Sequence, residues 1–159
     1  MTTDECPPIE VSCRVAAPAD RIFALLRDPR QHPAIDGSDM VVEPVTTEPV
    51  SGVGDVFVMR MQSRKWGDYE IDNHVVQYEQ DRAIAWEPQA GRGHPLVGTR
   101  HGHVWAYLLS PDGPGATVVT ETYDCSRAPA QERAEMRNGE LWREGMVASL
   151  ERLRSLCEG

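Results

Sequence analysis

Strand-like alternation over residues 9–125, followed by one helical stripe over 131–157, constrains this chain more than any single motif. In the last segment Trp142, Met146, Leu150, Leu153 and Cys157 recur at steps of three and four, so they share one face of a helix. Arg143, Glu144, Glu151, Arg152 and Arg154 fall on the rest of its circumference. An apolar stripe of that width has to be buried, and the preceding strands supply the surface for it. A curved antiparallel sheet closing over one long helix leaves a space between them, so the pattern predicts a small-molecule container before any reactive residue is considered.

The order of elements follows from local signals. Residues 9–16 alternate, with Ile9, Val11, Cys13 and Val15 on one face. Pro18 and Asp20 then open a short helix whose buried side is Ile22, Phe23, Leu25 and Leu26, and Asp28-Pro29 stops it. A second helical piece is expected over 30–35, ended by Asp36-Gly37-Ser38. Strands are predicted at about 40–47, 55–62, 68–79, 82–87, 100–109 and 116–125, with Phe57, Met59 and Met61 facing inward. The turns between them carry Gly52-Val53-Gly54, Gln80-Asp81 and Pro111-Asp112-Gly113-Pro114-Gly115. The fold class is therefore α+β, with seven strands, two short helices after the first strand and a long C-terminal helix, in a single domain over 1–159 with its core at about 9–157.

Charge and cysteine usage exclude several functions. A net charge of −9 disfavours nucleic acid and acidic membrane surfaces, which demand clustered Lys and Arg. The N-terminal MTTDECPPIE has neither a basic flank nor an apolar run, and no later segment approaches the roughly 20 apolar residues of a membrane span, so a cytoplasmic protein without stable membrane association is expected. Cys6, Cys13, Cys125 and Cys157 are scattered with no CxxC, which reads as reduced thiols; Cys13 and Cys125 fall on the first and last strands, expected to be neighbours.

Four stretches carry a family resemblance: VAAPADRIFALL at 15–26, RAIAW at 82–86, TVVTETYD at 117–124 and EGMVASLERL at 144–153. With this order of elements, the chain resembles the START-like SRPBCC superfamily, and within it bacterial proteins grouped as polyketide cyclase/dehydrase and lipid-transport-like. The resemblance implies the helix-grip fold, a sheet wrapped around the C-terminal helix. It also implies a cavity for hydrophobic or aromatic molecules. Relatives of that kind cyclise or dehydrate polyketides, carry lipids, or act as ligand receptors or co-chaperones, and fold alone does not choose among these.

The densest polar and aromatic group is His101, His103, Trp105 and Tyr107 on one predicted strand beside Glu121 and Tyr123 on the next. A histidine beside a carboxylate can move protons near neutral pH, and aromatic rings can hold a flat ligand. His103 and Glu121 are the candidate catalytic pair. Met59, Met61, Trp86, His101, Trp105, Tyr107, Tyr123, Trp142 and Met146 are the candidate ligand-binding residues. His101 and His103, with His94 near in sequence, offer imidazoles, but no third ligand has a compelling position, so no metal centre is expected. GxGxxG, Walker A, HExxH and GxSxG motifs are absent, so no cofactor is expected either. The leading expectation is binding of a lipid or polyketide-like small molecule; the alternatives are a cofactor-free polyketide cyclase or dehydratase, and a co-chaperone-like module acting through its outer surface.

Overall fold

The computed structural model describes residues 6–158; residues 1–5 and 159 of the expected domain, with the first part of the N-terminal segment, lie outside them. Strand β1 (Ile9–Val15) leads into helix α1 (Ala19–Leu26), a 3-10 turn at Pro29–Gln31 and helix α2 (His32–Ile35). Strands β2 (Val41–Pro44), β3 (Val56–Ser63), β4 (Gly67–Glu79), β5 (Ala83–Ala90), β6 (Val104–Pro111) and β7 (Thr117–Asp124) follow. They form one antiparallel sheet in the order β1-β7-β6-β5-β4-β3-β2, the helix-grip arrangement. Consecutive strands from β2 to β7 pair as hairpins, and β1 joins β7 because the chain closes back on itself.

Two differences from the sequence reading bear on the site, besides β2 ending at Pro44 rather than about 47 and β5 running on to Ala90 rather than about 87. The long helix is broken: α3 (Ala130–Glu135) and a 3-10 segment (Arg137–Trp142) precede α4 (Arg143–Glu158). Arg137, Asn138 and Gly139 sit at φ of 50°, 54° and 94°, a left-handed excursion that ends α3. Gly139 is required there twice over, since a Cβ would also stand 2.9 Å from Ile9 Cγ1 and from the Tyr123 ring. The apolar stripe begins only at Trp142, after the break, so its periodicity carries no signal for residues 131–141. The second difference is that β6 starts at Val104, so His101 and His103 stand on the loop before it rather than on the strand.

The stripe on α4 is buried as its spacing requires: Met146, Leu150, Leu153 and Cys157 are in the core, packed with Val11, Val15, Ile22 and Phe23. Leu153 is fully buried whereas Leu156, one step round the helix, is 42% exposed. Leu153→Ala should cost about 3 kcal/mol in urea denaturation, the usual range for a buried leucine, and Leu156→Ala under about 1 kcal/mol; equal losses would remove the stripe as the anchor of the helix. The first and last strands are neighbours as expected, but Cys125 lies 3.6 Å from Cys6, sulfur to sulfur, while Cys13 points at the Leu150 carbonyl. No helix among the described residues is long and apolar enough to cross a membrane.

Candidate functional site

Alternation on β3–β7 turns one set of side chains toward α4, and register sets them side by side. Met59 faces Ile71, Met61 faces Tyr69, Trp86 faces Trp105, Trp105 faces Tyr123, and Tyr107 faces Glu121. Between this surface, α2, α4 and the helix break lies a mainly apolar cavity of about 970 Å³. Its volume is at the upper end of what small-molecule sites enclose. Met59, Met61, Trp86, Trp105, Tyr107, Tyr123, Trp142 and Met146 all contribute to its wall, as do His101, His103 and Glu121. Glu70, Asp72 and His74 occupy the opposite face of β4, where His74 Nε2 meets Gln89 Oε1 at 2.6 Å.

Two polar groups interrupt the apolar lining. The inner one is Glu121 with Tyr107 and Asp36. Burial pushes the Glu121 carboxyl up to about 8; the Tyr107 hydroxyl opposite favours its charged form, and the Asp36 carboxylate opposes it. At neutral pH Glu121 is therefore a neutral acid and a hydrogen-bond donor. Its Oε1 has no partner among the described residues. Burial and the neighbouring Glu121 likewise hold the Tyr107 phenol well above its ordinary value. Asp36 is fixed by the backbone N–H groups of Ser38, Met40 and Val41, all donating to its carboxylate.

The outer group gathers around Glu132 of α3. Glu132 meets His101 Nδ1 at 2.6 Å and His103 Nε2 at 3.1 Å, one carboxylate oxygen to each. Burial alone would raise this carboxyl, but the two histidines outweigh it and hold it below the usual glutamate value. His103 Nδ1 lies 2.7 Å from the Tyr123 hydroxyl, which donates to Met136 Sδ at 3.3 Å. The Tyr123 ring packs on Trp105 at 4.3 Å between centroids, and Trp105 meets Trp142 edge-on at 6.4 Å. Trp142 Nε1 is buried with no well-formed hydrogen bond among the described residues, the Tyr123 hydroxyl being the polar group beside it. His103 is thus held by Glu132 and Tyr123, while Glu121 answers to Tyr107; the paired unit expected from His103 and Glu121 is two separate groups.

Glu132 was not foreseen from the sequence, because within an unbroken helix it has no reason to approach the strands. The Asn138-Gly139 dipeptide was the available signal: it is turn chemistry inside a helical pattern, and it lets α3 swing across the cavity mouth. His32 was also passed over; its Nε2 donates to the Leu26 carbonyl at 2.8 Å and its ring stacks on Trp86 at 5.3 Å, with burial holding the imidazole below its ordinary value and so neutral. His94 joins Trp66 and Tyr69 in an aromatic cluster instead of approaching the other two histidines. Arg143, on the polar side of the stripe, forms a bidentate pair with Glu140 at 2.8 and 2.9 Å.

Comparison with known proteins supplies the family. Residues 8–158 match the model of the polyketide cyclase / dehydrase and lipid transport family. The chain belongs to that family. It is 33% identical over 120 residues to the uncharacterised protein Rv0088 of Mycobacterium tuberculosis, a match spanning 75% of this chain and 48% of that protein, so this member of the family covers about half the length of the curated relatives it matches. Among solved structures, an Arthrobacter aurescens protein superposes with a TM-score of 0.72 at 15% identity, covering 95% of this chain and 86% of the other. DynU16, a protein in the dynemicin biosynthetic locus, gives 0.60 at 20% identity over 95% of this chain and 47% of its own. At such identities the likeness is one of fold.

Proposed function

We propose that the protein binds a hydrophobic or aromatic small molecule, lipid or polyketide-like, bearing a hydrogen-bond acceptor. The observation that carries this reading is a pair of buried atoms with no well-formed hydrogen bond among the described residues, Glu121 Oε1 and Trp142 Nε1, set in the wall of a large apolar cavity. A buried polar group without a partner costs about 1–3 kcal/mol, and a ligand carbonyl or hydroxyl placed against it recovers that cost while the ligand's apolar body leaves water. Trp86, Trp105 and Trp142 line the same space, so binding has a built-in fluorescence reporter. Titration with a panel of fatty acids, sterols and polycyclic phenols, checked by native mass spectrometry, should give a saturable 1:1 signal with at least one class. Trp142→Phe keeps an aromatic ring but loses the N–H together with part of the indole's bulk, and should weaken that ligand at least roughly tenfold. No saturable response across the panel would overturn the reading.

One observation favours a second reading, a cofactor-free cyclase or dehydratase. A glutamate with a pKa of about 8 beside a tyrosine is poised to protonate or hydrogen-bond a carbonyl as an enolate forms, and DynU16, of the same fold, lies in a biosynthetic locus. In this reading Glu121 is the proton-transfer group, Tyr107 polarises the carbonyl, and His103 with Tyr123 acts at the outer end. Glu121→Gln should then abolish turnover of a poly-β-ketone while leaving its binding within a few-fold. Normal turnover by a His103→Ala, Glu121→Gln double variant would remove His103 and Glu121 as the proton-transfer groups, and no turnover by the parent would leave the binding reading alone.

A further inference from the structure

His101, His103 and Glu132 form the group among the described residues whose His, Cys, Asp or Glu ligand atoms converge, all within 4.8 Å of one another. The absence of a third ligand was the reason for expecting no metal here, and the helix break brings that ligand in. The Tyr123 hydroxyl lies 2.7 Å from His103 Nδ1 and 3.3 Å from Met136 Sδ, and His103 Nε2 lies 3.1 Å from Glu132 Oε2. In the tautomer whose Nδ1–H donates to the Tyr123 oxygen, Nε2 presents its lone pair toward Glu132, an arrangement that a cation between the two, a proton or a metal ion, stabilises.

The surroundings fit the second. Metal–ligand bonds of about 2.0–2.2 Å at tetrahedral angles place donors about 3.4 Å apart, within reach of small side-chain shifts here. His103 carries the outer support that ligating imidazoles have, its far nitrogen donating to a fixed hydroxyl. Side-chain exposures of 33%, 20% and 28% for His101, His103 and Glu132 leave a path for an ion and room for further ligands. Arg100 and Arg127 are both engaged by Glu87 at 3.1 and 3.4 Å, and Arg133, next to Glu132 in sequence, donates to the Ser126 and Ala128 carbonyls.

We propose that His101 Nδ1, His103 Nε2 and the Glu132 carboxylate bind a divalent first-row transition ion, zinc being the probe, at the mouth of the cavity. Two imidazoles and one carboxylate are a donor set suited to zinc or iron(II), with coordination positions left open. The three ligands are also cavity residues, so an open position faces the space a bound molecule would occupy. Its use as an anchor for an oxygen of that molecule rests on the binding reading; the ion site does not.

The test uses tag-free protein stripped with a chelator and titrated with zinc against a chromogenic competitor. One ion per chain is expected. His101→Ala, His103→Ala and the isosteric Glu132→Gln should each weaken uptake at least tenfold, while His74→Ala, His94→Ala and Cys6→Ser bind like the parent. Should His103→Ala fail to fold, Glu132→Gln and His101→Ala carry the comparison. Cobalt(II) substitution should give the intense visible absorption of a low-coordinate site, lost in Glu132→Gln. No stoichiometric uptake, or uptake that survives both Glu132→Gln and His101→Ala, would overturn the proposal and leave a hydrogen-bonded histidine–carboxylate group. Ligand titration by fluorescence in excess chelator reads the cavity separately, so loss of the ion site and loss of small-molecule binding are distinguishable.

Discussion

Glu121→Gln should flatten the pH dependence of stability between about pH 5 and pH 8 and make the variant the more stable form in alkali. The folded carboxyl titrates at about 8 against an ordinary 4.5, because burial penalises its charge. A pKa raised on folding means the native state holds the proton more tightly than the unfolded chain. The stabilisation it contributes is complete below about pH 4.5 and is lost as pH rises through the folded value. At about 1.4 kcal/mol per unit, that loss amounts to about 5 kcal/mol for a fully realised shift. Glutamine occupies the same volume, can donate like the neutral acid and has no charge to form. Urea midpoints at pH 5, 7 and 9 should therefore fall steeply for the parent and stay nearly level for the variant. Parallel profiles would mean that water or relaxation reaches Glu121 and that it ionises near its ordinary value. A ligand accepting a hydrogen bond from the neutral acid should in turn bind more weakly above pH 8.

The other large effect belongs to Gly37, which follows α2 and lies against α4. A Cβ there would stand 2.3 Å from the Gly145 carbonyl oxygen, 2.6 Å from Ala148 Cβ and 2.6 Å from the Ser149 nitrogen. Two of those three atoms are backbone, so no rotamer change relieves the clash. The same contact carries polar bonds: the Gly37 N–H donates to Ser149 Oγ at 2.8 Å, and the Arg152 guanidinium donates to the Asp36 carbonyl. Gly37→Ala must push α2 off α4, losing those bonds and loosening the turn that holds Asp36 in the cavity wall. The expected cost is about 3 kcal/mol, or roughly 10 °C in Tm. Gly52→Ala and Gly115→Ala, with nothing within 4 Å of the new Cβ, are the controls and should change stability by under about 1 kcal/mol. A Gly37→Ala protein as stable as the controls would show that the α2–α4 contact can yield.

These two residues illustrate unequal legibility. Gly37 was visible as part of an Asp-Gly-Ser turn, but nothing in a linear pattern says which helix presses on it from more than a hundred residues away. Glu121 was visible as an inward position on β7, since alternation with Val119 and Tyr123 is strict. Its neutral state was not, because that depends on what closes over it. Eight of the eleven candidate residues line one cavity because period-two alternation on β3, β5, β6 and β7 and period-four spacing on α4 are local properties; His101 and His103 reach it from the loop before β6, and Trp142 from the 3-10 segment before α4. The partnerships among them depended on register and on the helix break.

Sequence by itself determined the order of seven strands and their flanking helices, the inward and outward faces of each, and the stripe that seats α4, because these follow from backbone periodicity and from turn residues acting within a few positions. Only the tertiary structure decided that Tyr107 rather than a histidine faces Glu121, that α3 swings at Asn138 and Gly139 to set Glu132 across His101 and His103, and that Cys6 rather than Cys13 approaches Cys125. The physical reason is common to all three. Each is a contact between segments far apart in the chain, chosen by strand register and close packing, and no local preference of either partner encodes it.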